Sequence, residues 1–169
     1  MNRYLLPVLL FGLFFWGCKT GKQSSEKTDL VSMHYDTYEQ IWAKVDSLEQ
    51  KGLYQSAREI VEDLAVKAKT DKNAPQIVKT TLYRCKYLKE LEEEGELKSL
   101  SLLQTETAQA PFPAQPFLQS VLAEAYSHYL RANRWKLQNR TEMEEKGEDP
   151  ASWPPGEFER RSNELYLQS

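Results

Sequence analysis

YEQIWAKVDSLEQKGLYQSAREIV, Tyr38 to Val61, holds two apolar patterns of one period, parted by a single glycine. In the first, apolar side chains fall at Tyr38, Ile41, Trp42, Val45 and Leu48. Steps of three, one, three and three place them along one side of a helix with 3.6 residues per turn. The pattern predicts a helix over about 37–51. Gly52 is its stop, because glycine enters a left-handed conformation without a side-chain clash. The second stripe is Ala57, Ile60, Val61, Leu64, Ala65 and Ala68, and it predicts a second helix. Ser56, with Glu59 three residues on, reads as its N-cap in a capping box. The joint GLYQSA is so short that the two helices must run antiparallel as neighbours. The two stripes together therefore predict a helical hairpin.

The rest of the chain continues in the same style. Asn73-Ala74-Pro75 opens a third helix, with proline pre-set for a first turn. Its stripe is Val78, Leu82, Cys85, Leu88 and Leu91, and Gly95 is its expected end. Glu90, Glu92, Glu93 and Glu94 crowd that end, where acids oppose the helix dipole. A short fourth helix is expected over about 97–107. The prolines of APFPAQP, Ala110 to Pro116, break the pattern. A fifth helix follows over about 115–134, with Leu118, Val121, Leu122, Ala125 and Tyr129 inward, and NRWKLQNRT as a continuation. EEKGEDP and WPP form a loop. A last helix starts near Pro155-Gly156, carries Phe158 and Leu165, and reaches Ser169 with no closing signal. The expected fold is all-α, a set of antiparallel helical hairpins over 35–169, truncated at its C-terminal end. Gly52, Tyr54 and Ala57 are similar in spacing to the turn of tetratricopeptide-like helix pairs, which makes the array tetratricopeptide-like or α-solenoid-like. A second copy of GxYxxA does not occur.

Composition agrees with helix. The 169 residues include only 7 glycines, and the net charge is −3. A pI near 5.6 gives no basic footprint for nucleic acid. A mean hydropathy of −0.66 excludes a polytopic membrane protein. If Cys18 is acylated, Cys85 has no internal disulfide partner.

The N-terminus carries an address. Arg3 precedes an apolar run from Tyr4 to Trp16. As a helix this run is roughly 20 Å long, against a hydrocarbon core of about 30 Å. It fits the apolar region of a secretory signal. The seam at Gly17-Cys18 resembles a bacterial lipoprotein signal, in which a small residue precedes a cysteine that is lipidated and becomes the new N-terminus. Phe15-Trp16 stands where that pattern carries Leu and a smaller residue. The resemblance implies a signal peptide over 1–17, cleavage between Gly17 and Cys18, and lipid attachment at Cys18. The other reading of Cys18 is an incidental cysteine closing an uncleaved anchor. Stable anchoring takes more than one acyl chain, which a diacylglyceryl group would supply. Residues 18–34, almost without apolar content after the cysteine, read as a flexible tether. Its stretch KTGKQSSEKTDLVS, about 14 residues, would typically reach about 20 Å and at most roughly 50 Å. The expected location is the cell envelope, lipid-anchored, in the periplasm or on an outer-membrane leaflet.

Chemistry-bearing patterns are sparse. His34 falls in the tether and His128 in the fifth helix, and neither HxxxH nor CxxC occurs, so no metal site is expected. Cys85 sits on an apolar stripe and reads as core rather than as a catalytic thiol. GxSxG, a phosphate-cradling glycine loop and Ser-x-x-Lys are missing, so no catalytic residue and no cofactor are assigned. ELEEEGE reads as a solvated helix end. Trp42 reads as core, while Trp135 and Trp153 stay open between core and ligand groove.

Five blocks in order carry a wider resemblance: YEQIWAKVDSLEQKGLYQSAREIV, NAPQIVKTTLYRCKYL, APFPAQPFLQSVLAEAYSHYL, NRWKLQNRT and ASW. Together they resemble the N-terminal helical segment of large alpha-2-macroglobulin-like lipoproteins of Bacteroidetes type. Members continue into β-sandwich macroglobulin domains, a bait region and often a Cys-x-Glu-Gln thioester, and the family is associated with trapping proteases. Cys85 is followed by Lys86, Tyr87 and Leu88, so it is not that thioester cysteine. The resemblance implies an anchoring and spacing module without enzymatic activity. Its partners would be the membrane, through lipid on Cys18, and the missing macroglobulin-like domains or another envelope protein. The competing reading is a stand-alone tetratricopeptide-like periplasmic adaptor that binds a protein or peptide.

Overall fold

The computed structural model describes residues 37–140 and 147–169. The residues read above as signal, lipidation site and tether lie outside the described residues. Among the described residues the structure is all-helical, with six α-helices: α1 Tyr38–Gln50, α2 Tyr54–Thr70, α3 Ala74–Leu91, α4 Gly95–Gln109, α5 Ala114–Leu137 and α6 Pro155–Gln168. A short 3-10 turn at Pro150–Ser152 precedes α6. Each helix packs antiparallel on the next, as the hairpin reading predicts. Side-chain bonds also join α1 to α3 and α2 to α4, and α3 touches α5. The helices thus alternate between two layers, with α1, α3 and α5 in one and α2, α4 and α6 in the other.

The first turns are made by the backbone. The Gly52 N–H donates to the Glu49 carbonyl and the Leu53 N–H to that of Leu48, both at 2.9 Å. This pair of bonds needs a left-handed residue between them, and Gly52 supplies it at φ +72°. The α2–α3 turn repeats the device with Lys72 at φ 51° and the Asn73 N–H on the Ala68 carbonyl. Asn73 then caps α3 by accepting from the Gln76 N–H.

Several local expectations are corrected. Ser56 does not cap α2, which begins two residues earlier at Tyr54 behind Leu53, with no side-chain cap. The first helix carries the capping box instead: Thr37 and Gln40 exchange bonds between side chain and backbone at 3.3 and 2.9 Å. Gly95 does not end α3. That helix stops at Leu91, ahead of most of its acids, and Gly95 opens α4. A Cβ at Gly95 would lie 2.1 Å from the Leu88 carbonyl oxygen, so close approach of α4 to α3 sets this glycine.

The buried face of α3 also differs from its apolar stripe. Ile77, Thr80, Thr81, Cys85 and Tyr87 are buried, while Leu82 is 38% exposed and Leu91 equally so. The polar members fit because their hydroxyls are bonded. Thr80 and Thr81 donate to the Gln76 and Ile77 carbonyls at 2.8 Å, and Tyr87 donates to Glu49. In α2, Ala57, Val61, Leu64, Ala65 and Ala68 are buried as expected, with Ile60 only half-buried.

The largest core lies in the second half of the chain. Leu100, Leu103, Leu118, Leu122, Tyr126, Tyr129, Leu137, Trp153 and Phe158 close it, with Cys85 at its α3 edge. Trp153 is fully buried, edge-on to Tyr126 and Phe158 with ring centroids 5.2 Å apart, and its indole N–H donates to the Gly147 carbonyl. Trp42 is core as expected and donates to Gln76 at 2.8 Å. Trp135 is 67% exposed.

One buried carboxylate ties the layers, and a second is neutralised within α6. Glu106 of α4 meets Lys69 of α2 and Arg84 of α3, each at 2.7 Å. Burial alone would raise its carboxyl, but the two cations outweigh burial and hold it below the usual range. Glu157 of α6 is fully buried and meets Arg160 and Arg161 at 2.6 and 2.7 Å. Arg161 also stacks over Trp153 and reaches Glu148.

Candidate functional site

Gly17 and Cys18, the residues assigned to signal cleavage and lipid attachment, lie outside the described residues, as does His34. Among the described residues no cluster of three His, Cys, Asp or Glu side chains is placed to hold a metal ion. No described helix is long and apolar enough to cross a membrane. His128 is exposed on α5 and lines a hollow with Glu96 and Glu124. Cys85 is buried, and its thiol approaches the Ser99 carbonyl at 3.5 Å. Burial pushes that thiol up to about 11, against the weaker downward pull of Lys89 and Arg84. A thiol so rarely ionised at neutral pH is a poor nucleophile, in keeping with its reading as core.

A shallow groove lies between α3 and α5, floored by α4. It consists of two adjoining hollows of about 290 and 320 Å³ that share Lys89, Ser99, Leu100, Val121 and Ala125. The floor is apolar. Leu82, Lys86 and Lys89 line the α3 side, and Glu124 and His128 the α5 side. Lys86 is held by Glu49 of α1 at 2.8 Å. Burial would raise the Glu49 carboxyl, yet its bonds from Lys86 and Tyr87 hold it low. Glu124 is likewise held low by Arg131 and Tyr166. Each hollow has room for a few side chains, so the groove suits one short segment of a partner and not a domain.

Sequence reasoning did not find this groove. Val121 and Ala125 were expected to face inward, and they do pack on the core edge, but as half-buried residues that line the groove. The signal was present in Leu82. An apolar residue outside its helix's buried face marks a surface that something could cover, but the stripe alone did not reveal that face. Comparison with family models, with curated proteins and with solved structures gives no match.

Proposed function

We propose that this chain is the membrane-tethered anchoring and spacing module of an alpha-2-macroglobulin-like envelope protein, attached through lipid on Cys18 and without chemistry of its own. One observation carries the reading. The five blocks that resemble the family each supply buried residues, and Leu64, Leu100, Leu103 and Phe158, which lie outside those blocks, complete the packing. Trp42, Val45, Ala57 and Val61 come from the first, and Ile77, Thr80, Thr81 and Cys85 from the second. Leu118, Leu122 and Tyr126 come from the third, Leu137 from the fourth and Trp153 from the last. Their order along the chain is the order in which the hairpins stack, which supports a single inherited module. The helices are spent on one another, and the segment leading back to Cys18 joins at Thr37, at one pole.

Metabolic labelling with palmitate tests the anchor. The wild-type chain takes up label, and Cys18→Ala abolishes uptake and leaves an uncleaved precursor. Uptake that survives Cys18→Ala refutes the anchor. Reading the gene past the codon for Ser169 tests the module. An in-frame, β-rich continuation supports it, and a stop followed by an unrelated gene removes it. Without bait or thioester, the chain alone is expected to trap no protease.

The groove on α3, α4 and α5 favours a second reading, a periplasmic adaptor that holds a peptide. Under that reading Leu82→Glu, which puts a charge on the exposed α3 wall of the groove, abolishes peptide capture by the folded protein.

A further inference from the structure

Tyr126 carries a polar atom that the fold does not use. The side chain is 1% exposed, and its ring is held edge-on to Trp153 and Phe158. A buried tyrosine hydroxyl ordinarily finds a hydrogen-bond partner. Among the described residues this one finds none. Burial pushes the hydroxyl's pKa up, while Arg161 pulls it down and Glu148 pushes it up. Both of those charged groups line a hollow of about 470 Å³ between α4, α5 and α6, with Tyr126 in its wall, so the hydroxyl opens there. Thr107 lines the same hollow, but its hydroxyl is already bonded to the Leu103 carbonyl. The hollow shares no lining residue with the groove on α3, α4 and α5.

The rest of the lining has neutral chemistry that both donates and accepts. Gln104 on α4, Gln115 and Gln119 on α5 and Gln168 on α6 bring four carboxamides to it. Gln115 is half-buried and makes no side-chain bond among the described residues. Gln104 donates to Glu148 at 2.9 Å, and Gln119 donates to Gln168 at 3.3 Å. A carboxamide has two N–H donors and two lone pairs, so each of the four retains groups that a ligand can meet. The charges, by contrast, are matched with one another: Arg161 holds Glu148 and Glu157, and Arg160 holds Glu164. Leu122 and Leu165 add apolar surface.

These features select the class of ligand. An ion gains little where each lining charge already has its counter-charge. Hydroxyls donate and accept at once, and so match carboxamides and a tyrosine O–H arrayed on three helices. An extended peptide presents its amides in a line and needs a longer track. Along α5 the track from Gln115 to Gln119 is one turn, roughly 6 Å. A compact ring with hydroxyls on its rim and C–H groups on its face fits both the polar walls and the two leucines. The volume lies within the roughly 300–1,000 Å³ of small-molecule sites.

We propose that this hollow binds a neutral pyranose sugar, with Tyr126 donating to one ring hydroxyl and Gln115 donating to and accepting from its neighbours. The site depends neither on the Cys18 anchor nor on the groove.

The test is saturation-transfer NMR on the full chain, held in a detergent without a sugar headgroup. The probes are glucose, galactose, mannose and N-acetylglucosamine, with blocked trialanine as a peptide and glucuronate as a charged sugar. Transfer to at least one of the neutral sugars is expected. Tyr126→Phe should weaken that binding about tenfold and Gln115→Leu several-fold. Leu82→Glu, in the other groove, should leave it unchanged. Because the Tyr126 hydroxyl has no partner in the fold, Tyr126→Phe should unfold at the wild-type urea midpoint or above it. A lower midpoint would mean that the hydroxyl serves the fold, and it overturns the proposal. Transfer to no neutral sugar, or stronger transfer to trialanine or glucuronate, overturns it too. So does binding that survives both Tyr126→Phe and Gln115→Leu, or that is lost with Leu82→Glu.

Discussion

Gly95→Ala isolates the contact that seats α4 on α3. The added Cβ would lie 2.1 Å from the Leu88 carbonyl oxygen and 2.8 Å from the Leu88 carbonyl carbon and the Lys89 Cα, all backbone atoms. Ordinary contact begins near 3.4 Å, so the start of α4 must move off α3 by about 1 Å or more. That motion carries Ser99, Leu100 and Leu103 away from the core beside Cys85. Overpacking of this kind costs about 1–3 kcal/mol. Replacing glycine within a helix returns at most about 1 kcal/mol through propensity and unfolded-state entropy. The net expectation is a loss of about 2 kcal/mol, or roughly 5–10 °C in Tm for a domain of this size. Gly52→Ala is the control. A Cβ there has open space but sits at φ +72°, so only the left-handed backbone cost of about 1 kcal/mol remains. Urea unfolding followed by helical circular dichroism, on protein starting after Cys18, measures both. If Gly95→Ala lies within about 0.5 kcal/mol of wild type, or costs less than Gly52→Ala, α4 does not ride on α3 as described.

Leu64, buried at the α2 interface, and Leu82, exposed on α3, should part clearly on truncation. Leu64→Ala costs about 2–5 kcal/mol, and Leu82→Ala less than about 1 kcal/mol; equal losses in urea midpoints would show that the α3 face is misassigned. Glu106→Gln removes a carboxylate that is held low in the folded state, at a cost of about 1.5–3 kcal/mol at neutral pH. Because the folded carboxyl titrates below the unfolded one, its contribution is present above about pH 4.5 and is lost as acid protonates it; wild-type and Glu106→Gln curves must therefore converge as the pH falls below about 4.5, and parallel curves would refute the role. Cys85, pushed up to about 11 and buried, should resist thiol reagents at pH 8 in the native protein starting after Cys18 and react fully in denaturant; rapid native labelling would place it on the surface.

The hairpin order could be read from sequence because its signals are local. A 3.6-residue stripe, a glycine at a turn and a proline break each depend on a few neighbouring residues, and α1, α3, α5 and α6 begin within a residue or two of their expected starts. What stayed hidden depends on distant partners. Tyr87 is buried because Glu49, on another helix, accepts its hydroxyl. Thr80 and Thr81 are buried because each turns its hydroxyl back on the helix, which a hydropathy pattern scores as polar. Once those three define the face, Leu82 is turned outward and the stripe through it misleads. Gly95 shows a similar limit. A glycine after an acidic run looks like a helix stop, and only the approach of the Leu88 carbonyl reveals why a side chain is forbidden. The groove was hidden because it belongs to three helices at once. The proposed lipid site rests on sequence alone, since Gly17 and Cys18 lie outside the described residues.

The entry of the chain at Thr37 has a mechanical consequence. If the proposed anchor holds, a pull on the chain before Thr37 would arrive at the first turn of α1 and peel that helix from its end, one clasp at a time: Tyr38 from Asp71, then Trp42 from Gln76, then Glu49 from Lys86 and Tyr87. Loads applied in series break bonds at lower force than loads shared in parallel. Because each hairpin leans chiefly on its sequence neighbours, loss of α1 leaves α3 to α6 with their main core intact. The first helix would act as a sacrificial link, giving way under strain and re-seating when the pull relaxes.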